Sequence, residues 1–123
     1  MARSEFPAEG SAATIIAFPN RLASQVGFER GELMRILDLY GRMVAAGEWR
    51  DYAMQFTREA ASFCAFRRTA ERPQSRIEKC PALRGKQGMW TLFGEAGQVL
   101  KRGHELGGVL FPLERRLVKL VSP

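Results

Sequence analysis

The clearest pattern in the chain is a helical repeat near its start. Leu33, Ile36, Leu37, Tyr40 and Val44 recur at spacings of three and four, which lays an apolar stripe along a helix over 29–46. Glu29 and Glu32 stand in its first turn, where carboxylates suit the positive end of the helix dipole. Gly47 is placed to end it with a left-handed cap. Gly41 sits mid-helix at a cost of about 1 kcal/mol relative to alanine, so it is expected to pack closely against a neighbour.

The period then drops to two. Tyr52, Met54 and Phe56 alternate with Ala53 and Gln55, a strand pattern that a short helix would also satisfy. Residues 60–68 read as the best strand, with Phe63 and Phe66 on opposite faces. Glu71-Arg72-Pro73 is turn chemistry, and a strand over 76–79 turns Ile77 inward and Arg76 and Glu78 outward. A loop over 80–88 carries Pro81, Gly85 and Gly88, and strands over 89–93 and 98–102 flank the turn Gly94-Glu95-Ala96-Gly97. The helical period returns with Leu106, Val109, Leu110, Leu113, Leu117 and Leu120, over 104–121. Pro112 lacks an amide donor and is expected to kink or split this helix. Residues 1–27 show no period and read as a flexible tail, in which 14–18 could dock as a short edge strand. These elements predict one α+β domain over 28–121. It has an N-terminal helix, an antiparallel meander of four to five strands and a C-terminal helix, with both helices on one face of the sheet.

Length and composition support that outline. A chain of 123 residues with 46% hydrophobic and 26% charged residues can bury a core of its own without staples. Cys64 and Cys80 are too few for a disulfide scaffold and read as thiols of a reducing compartment, with a disulfide across paired strands as the lesser alternative. No apolar run approaches a membrane span, and the best signal-like stretch, 12–18, follows Glu5 and Glu9 and precedes Pro19. The expectation is therefore a cytoplasmic protein with no membrane partner.

Charge adds a location. Between residues 66 and 102 there are nine bases and three acids, while the remaining chain balances ten against ten. The whole surplus of +6 falls in the strand region. A localised surplus is the footprint of a site for phosphates, nucleic acid or an acidic protein. The plain alternative is a solvated sheet face kept soluble by arginine and lysine.

Catalytic chemistry is sparse. His104 is the lone histidine, which excludes His-pair and multi-His metal chemistry. A small enzyme could use a Cys-His dyad of His104 with Cys64 or Cys80, of which Cys80 has Lys79 beside it to lower its pKa. Gly85-Lys86-Gln87-Gly88 lacks P-loop spacing, and no acidic cluster points to a metal or cofactor. Phe63, Phe66, Trp90 and Phe93, interleaved with bases, have the composition of a base-stacking sheet, although aromatics on strands covered by helices more often form core. Lys101-Arg102, just ahead of a helix start, is a candidate phosphate position. The order helix, strands, helix also resembles that of double-stranded-RNA-binding domains, without a shared motif.

Three stretches carry a further resemblance. Residues 40–53 read YGRMVAAGEWRDYA. The second comprises Phe66-Arg67-Arg68, Glu71-Arg72-Pro73, Arg76-Ile77-Glu78-Lys79, Pro81 and Gln87-Gly88, and the third, residues 97–106, reads GQVLKRGHEL. Together they are similar to a bacterial family known as domain of unknown function 2794, found mainly in alphaproteobacteria. The resemblance implies a cytoplasmic bacterial protein and carries no activity. The chain departs from the family pattern at Glu29, where Asp or Asn is usual, and at Pro112.

The sequence thus points to a non-catalytic binding module. Arg67, Arg68, Arg72, Arg76, Lys79, Lys101 and Arg102 are the candidates for contact with nucleic acid or another anionic partner, and Trp49, Arg50 and Asp51 for a helix–sheet corner. The alternative is a protein–protein or homodimeric interaction protein, for which Met34, Met43, Met54 and Met89 offer adaptable contact.

Overall fold

A computed structural model describes residues 24–68 and 72–122. Helix α1 (Arg30–Ala45) leads into five strands, β1 (Asp51–Phe56), β2 (Ala61–Phe66), β3 (Ser75–Lys79), β4 (Trp90–Phe93) and β5 (Val99–Gly103), and helix α2 (Leu106–Val121) closes the chain. The strands pair antiparallel in sequence order, so β1 and β5 are the edges among the described residues. The segment over 52–56, ambiguous in sequence, is a strand because its alternation finds a partner in β2, with Met54 opposite Phe63. The loop over 80–88 contains a short 3-10 turn at Pro81–Leu83.

One face of the sheet holds the core. Ala61, Phe63, Ala65, Ile77, Trp90 and Leu92 alternate inward and pack with Ile36, Leu39 and Met43 of α1 and Val109, Leu110 and Leu113 of α2. The inner stripe of α1 includes Leu39 and Met43, while Val44 is exposed, because Met43 turns toward Trp49 and Leu113. Both helices run the same way along the sheet. α1 begins beside Lys79 and α2 follows Gly103, which adjoin at one end through Trp90, whereas Glu48 after α1 and Arg116 of α2 meet at the other.

Both helix starts and stops have local causes. At the start of α1 the extended Glu29 offers its backbone N–H to Glu32 Oε1 at 2.8 Å, so the capping carboxylate stands three residues inside. At its end Gly47 takes φ +80°, its N–H bonds Val44 O, and Glu48 N–H bonds Met43 O, a full Schellman closure. Gly41 is a correction, for it is exposed with open space where a side chain would stand. Pro112 is another, because α2 runs unbroken from 106 to 121. The carbonyl that Pro112 leaves without a helical donor belongs to Gly108, which is exposed and bears no side chain, so solvent can satisfy it.

Part of the expected tail is tied down. Val26 N–H bonds Thr57 O, and the neighbouring Phe28 is fully buried, stacked on Trp90 with ring centroids 6.2 Å apart. The rest of the tail, with the candidate strand over 14–18, lies outside the described residues.

Candidate anion-binding end of the sheet

The Schellman turn after α1 aims two side chains at the end of the sheet where β2 finishes and β3 begins. Trp49 is 2% exposed, stacks on Tyr40, and donates its indole N–H to Gln74 Oε1 at 2.7 Å. Glu48, 7% exposed, receives Gln74 Nε2 at 2.9 Å, Arg67 Nη2 at 3.0 Å and Arg116 Nε at 2.9 Å, with Arg116 Nη2 on the same oxygen. One carboxylate therefore ties together the end of α1, the exit of β2, the entry of β3 and α2. Burial would push Glu48 up, but hydrogen bonds from Gln74, Arg116 and Arg67 and the Arg116 charge bring it below the ordinary carboxylate range. Arg67 and Arg116 are only half-buried, so each guanidinium keeps part of its surface in solvent.

Around this anchor the bases gather. A cavity of about 670 Å³ opens between the loop after β2 and the β4–β5 turn, lined by Arg67, Arg68, Arg72, Gln74, Glu95 and Gln98. Arg68 and Arg72 are exposed and make no ion pair with any described residue. A second cleft, of about 340 Å³, runs on between the β4–β5 turn and α2 and shares Gln74, Glu95 and Gln98 with the first. Arg115, Arg116 and Lys119 continue the rim along α2. Both helices end here, and their carbonyl ends favour cations.

The structure disperses the other basic candidates. Arg76 lies on the face of the sheet away from the helices, 4.1 Å over the Phe93 ring and 3.4 Å from Glu78. Lys79 is 6% exposed on the helix side, donating to Gly27 O at 3.0 Å and Glu32 Oε1 at 2.7 Å, so it holds the start of α1 and offers nothing to a surface partner. Lys101 and Arg102 are exposed on edge strand β5, where Arg102 bonds Gln87, and neither borders the cavities. Of the four aromatics, Phe63 and Trp90 are core, while Phe66 and Phe93 lie half-buried on the open face. Trp49 occupies the helix–sheet corner, and Arg50 and Asp51 are exposed beside it, with Arg50 N–H bonded to Phe66 O.

Sequence reasoning missed Glu48 as an anchor, Gln74 and Arg116. Arg116 and Glu48 are 68 residues apart, so no local spacing pairs them.

The reactive candidates stand apart from this end. His104 is exposed between β5 and α2, and Cys80 follows β3 at the opposite end. Neither Cys64 nor Cys80 is in a disulfide. Burial pushes the Cys64 thiol up, Arg76 pulls it down and Glu78 reinforces burial, so it is not activated. Among the described residues no three His, Cys, Asp or Glu side chains gather as metal ligands, and no described helix is long and apolar enough to cross a membrane.

No curated protein and no solved structure matches the chain. A family match covers residues 26–110, from the segment docked on β1 to the second turn of α2. It thus takes in Glu48, Trp49, Gln74 and the arginines of the loop after β2, and leaves Arg116 beyond its end. With more than half of its length covered, the chain belongs to the family described as protein of unknown function (DUF2794).

Proposed function

We propose that this protein is a non-catalytic cytoplasmic binding module that holds nucleic acid at the basic end of its sheet. The observation that carries the reading is the grouping of Arg67, Arg68 and Arg72 around one cavity, with Arg116 anchored beside them by Glu48. Arginine forks suit phosphate oxygens, and a carboxylate that fixes two of them pre-sets the geometry before a partner arrives. On this reading the contact lies at one end of the sheet, with Arg67, Arg68 and Arg72 as its bases. Lys101 and Arg102 form a separate exposed pair on β5, and Arg76 is engaged with Phe93 and Glu78.

The test is fluorescence anisotropy with labelled single- and double-stranded oligonucleotides at low and near-physiological salt. Several phosphate contacts should cost on the order of 100-fold in affinity between the two salts. The double variant Arg68→Glu, Arg72→Glu should abolish binding while the melting temperature holds, because neither side chain is bonded within the described fold. No binding at low salt would retire the nucleic-acid reading.

A second reading rests on β1. Strand β5 carries a bulge and Lys101-Arg102, features that discourage edge pairing, whereas β1 pairs in unbroken register and has Asp51 as its one charge. Thr57 N–H bonds Ala60 O, so by alternation Tyr52, Met54 and Phe56 turn their backbone groups away from β2. That edge fits a homodimer formed by antiparallel β1 pairing. Sedimentation equilibrium decides it, for the reading requires a dimer that Met54→Pro converts to monomer.

A further inference from the structure

The cleft beside the basic cavity has an unusual mixture of surfaces. Its apolar lining is Leu100 and Pro112 at the surface, with the buried Met43, Trp49 and Leu113 behind them. Its walls are polar, and several of their groups are unengaged. Ser75 is 5% exposed yet makes no hydrogen bond through its hydroxyl among the described residues. Gln98 uses its Oε1 to accept Ala96 N–H at 2.9 Å, while its amide nitrogen has no partner among those residues. Arg116 commits Nε and Nη2 to Glu48, which leaves its other terminal nitrogen for the cleft. A buried hydroxyl without a partner is costly, so a ligand that bonds it gains what the folded protein alone forgoes.

We propose that this cleft takes one unpaired nucleobase of a single-stranded nucleic acid whose backbone lies on Arg68 and Arg72. The proposal rests on the nucleic-acid reading above and names its substrate class. Three features carry it. First, the cleft joins the basic cavity through Gln74 and Gln98, so a strand that sets its phosphates in one can lower a base into the other. Second, the lining suits a base better than a plain apolar anion. A flat ring rests on the aliphatic surface of Leu100 and Pro112, and its edge, bearing both donors and acceptors, meets a hydroxyl, an amide and a guanidinium. Third, the cleft of about 340 Å³ between α2 and the hairpin has room for a splayed-out base.

Three oligonucleotides of one length test this by anisotropy, each with the protein's tryptophan fluorescence as a second readout: a single strand, the same strand with its bases replaced by abasic residues, and the duplex. Trp49 lies just behind the cleft lining and Trp90 at the other end of the sheet, so base insertion should quench the Trp49 contribution. The expected result is a single strand that binds about tenfold or more tightly than either the abasic strand or the duplex, with quenching by the intact strand alone. Ser75→Val should lower single-strand affinity and leave abasic-strand affinity unchanged, provided its melting curve stays cooperative. Equal affinity for all three without quenching would overturn the insertion and leave the basic end as a backbone-binding site. Absence of all binding at low salt would overturn both.

Discussion

Two charged residues, Lys79 and Glu48, show how burial decides a role. Lys79 looks like any other base of the strand region, yet its ammonium is enclosed between Gly27 O and Glu32. Replacing it by methionine keeps the stem and leaves the mostly buried Glu32 carboxylate without its countercharge, with only the Glu29 N–H as donor among the described residues. Lys79→Met should therefore cost about 2–3 kcal/mol in denaturant unfolding and leave oligonucleotide affinity unchanged, and a variant as stable as wild type would contradict the placement. Glu48 is held below the ordinary carboxylate range by its donors, against the effect of burial. A carboxylate with a depressed folded pKa stabilises the fold fully above the unfolded value, about 4.3 for glutamate, and loses that contribution as pH falls through the folded value. Glu48→Gln should cost about 1–3 kcal/mol at neutral pH. Its melting temperature should also fall less steeply than wild type on acidification. Parallel curves of melting temperature against pH would remove Glu48 from this role.

Among the elements, turns and close approaches carry the tightest sequence demands. Gly88, at φ +106°, leads into β4 with its backbone against Gly103, and a Cβ there would stand 2.5 Å from the Gly103 carbonyl carbon and oxygen. Gly97, at φ +84°, has open space around the same position. Gly97→Ala should thus cost about 1 kcal/mol, the backbone term alone, and Gly88→Ala about 3 kcal/mol or more, because backbone must also move. Equal losses in thermal melts would show that the contact between the 80–88 loop and β5 is looser than described. The helices follow the same logic in reverse. Pro112 is tolerated because the carbonyl it strands belongs to an exposed glycine.

For the molecule as a whole, net charge and charge location make different predictions. Arg84 and Lys86 lie in the loop at the opposite end of the sheet from Arg68 and Arg72. At physiological ionic strength charges farther apart than about 8 Å are largely screened. The pair Arg84→Glu, Lys86→Glu changes net charge by as much as Arg68→Glu, Arg72→Glu, yet it should leave oligonucleotide affinity within about twofold at 0.15 M salt. An equal loss from both pairs would mean that bulk charge, and not the basic end, draws the ligand.

By itself the sequence determined what depends on local periodicity and turn chemistry. The 3.6-residue stripes placed both helices, alternation placed Ile77 inward with Arg76 and Glu78 outward, and glycines marked the cap at 47 and the hairpin at 94–97. A hydrophobic period reports which side of an element is buried, and that sufficed for the order of elements and for the two-layer architecture. It does not report what an element is buried against. Gly41 looked like a packing site and faces solvent, Lys79 looked exposed and is enclosed, and Glu48, Gln74 and Arg116 carried no shared signal. Only the tertiary structure split one basic segment into a rim, an open face, an edge and a buried lysine, because successive strand residues point to opposite faces and antiparallel pairing alternates which end of the sheet each loop joins.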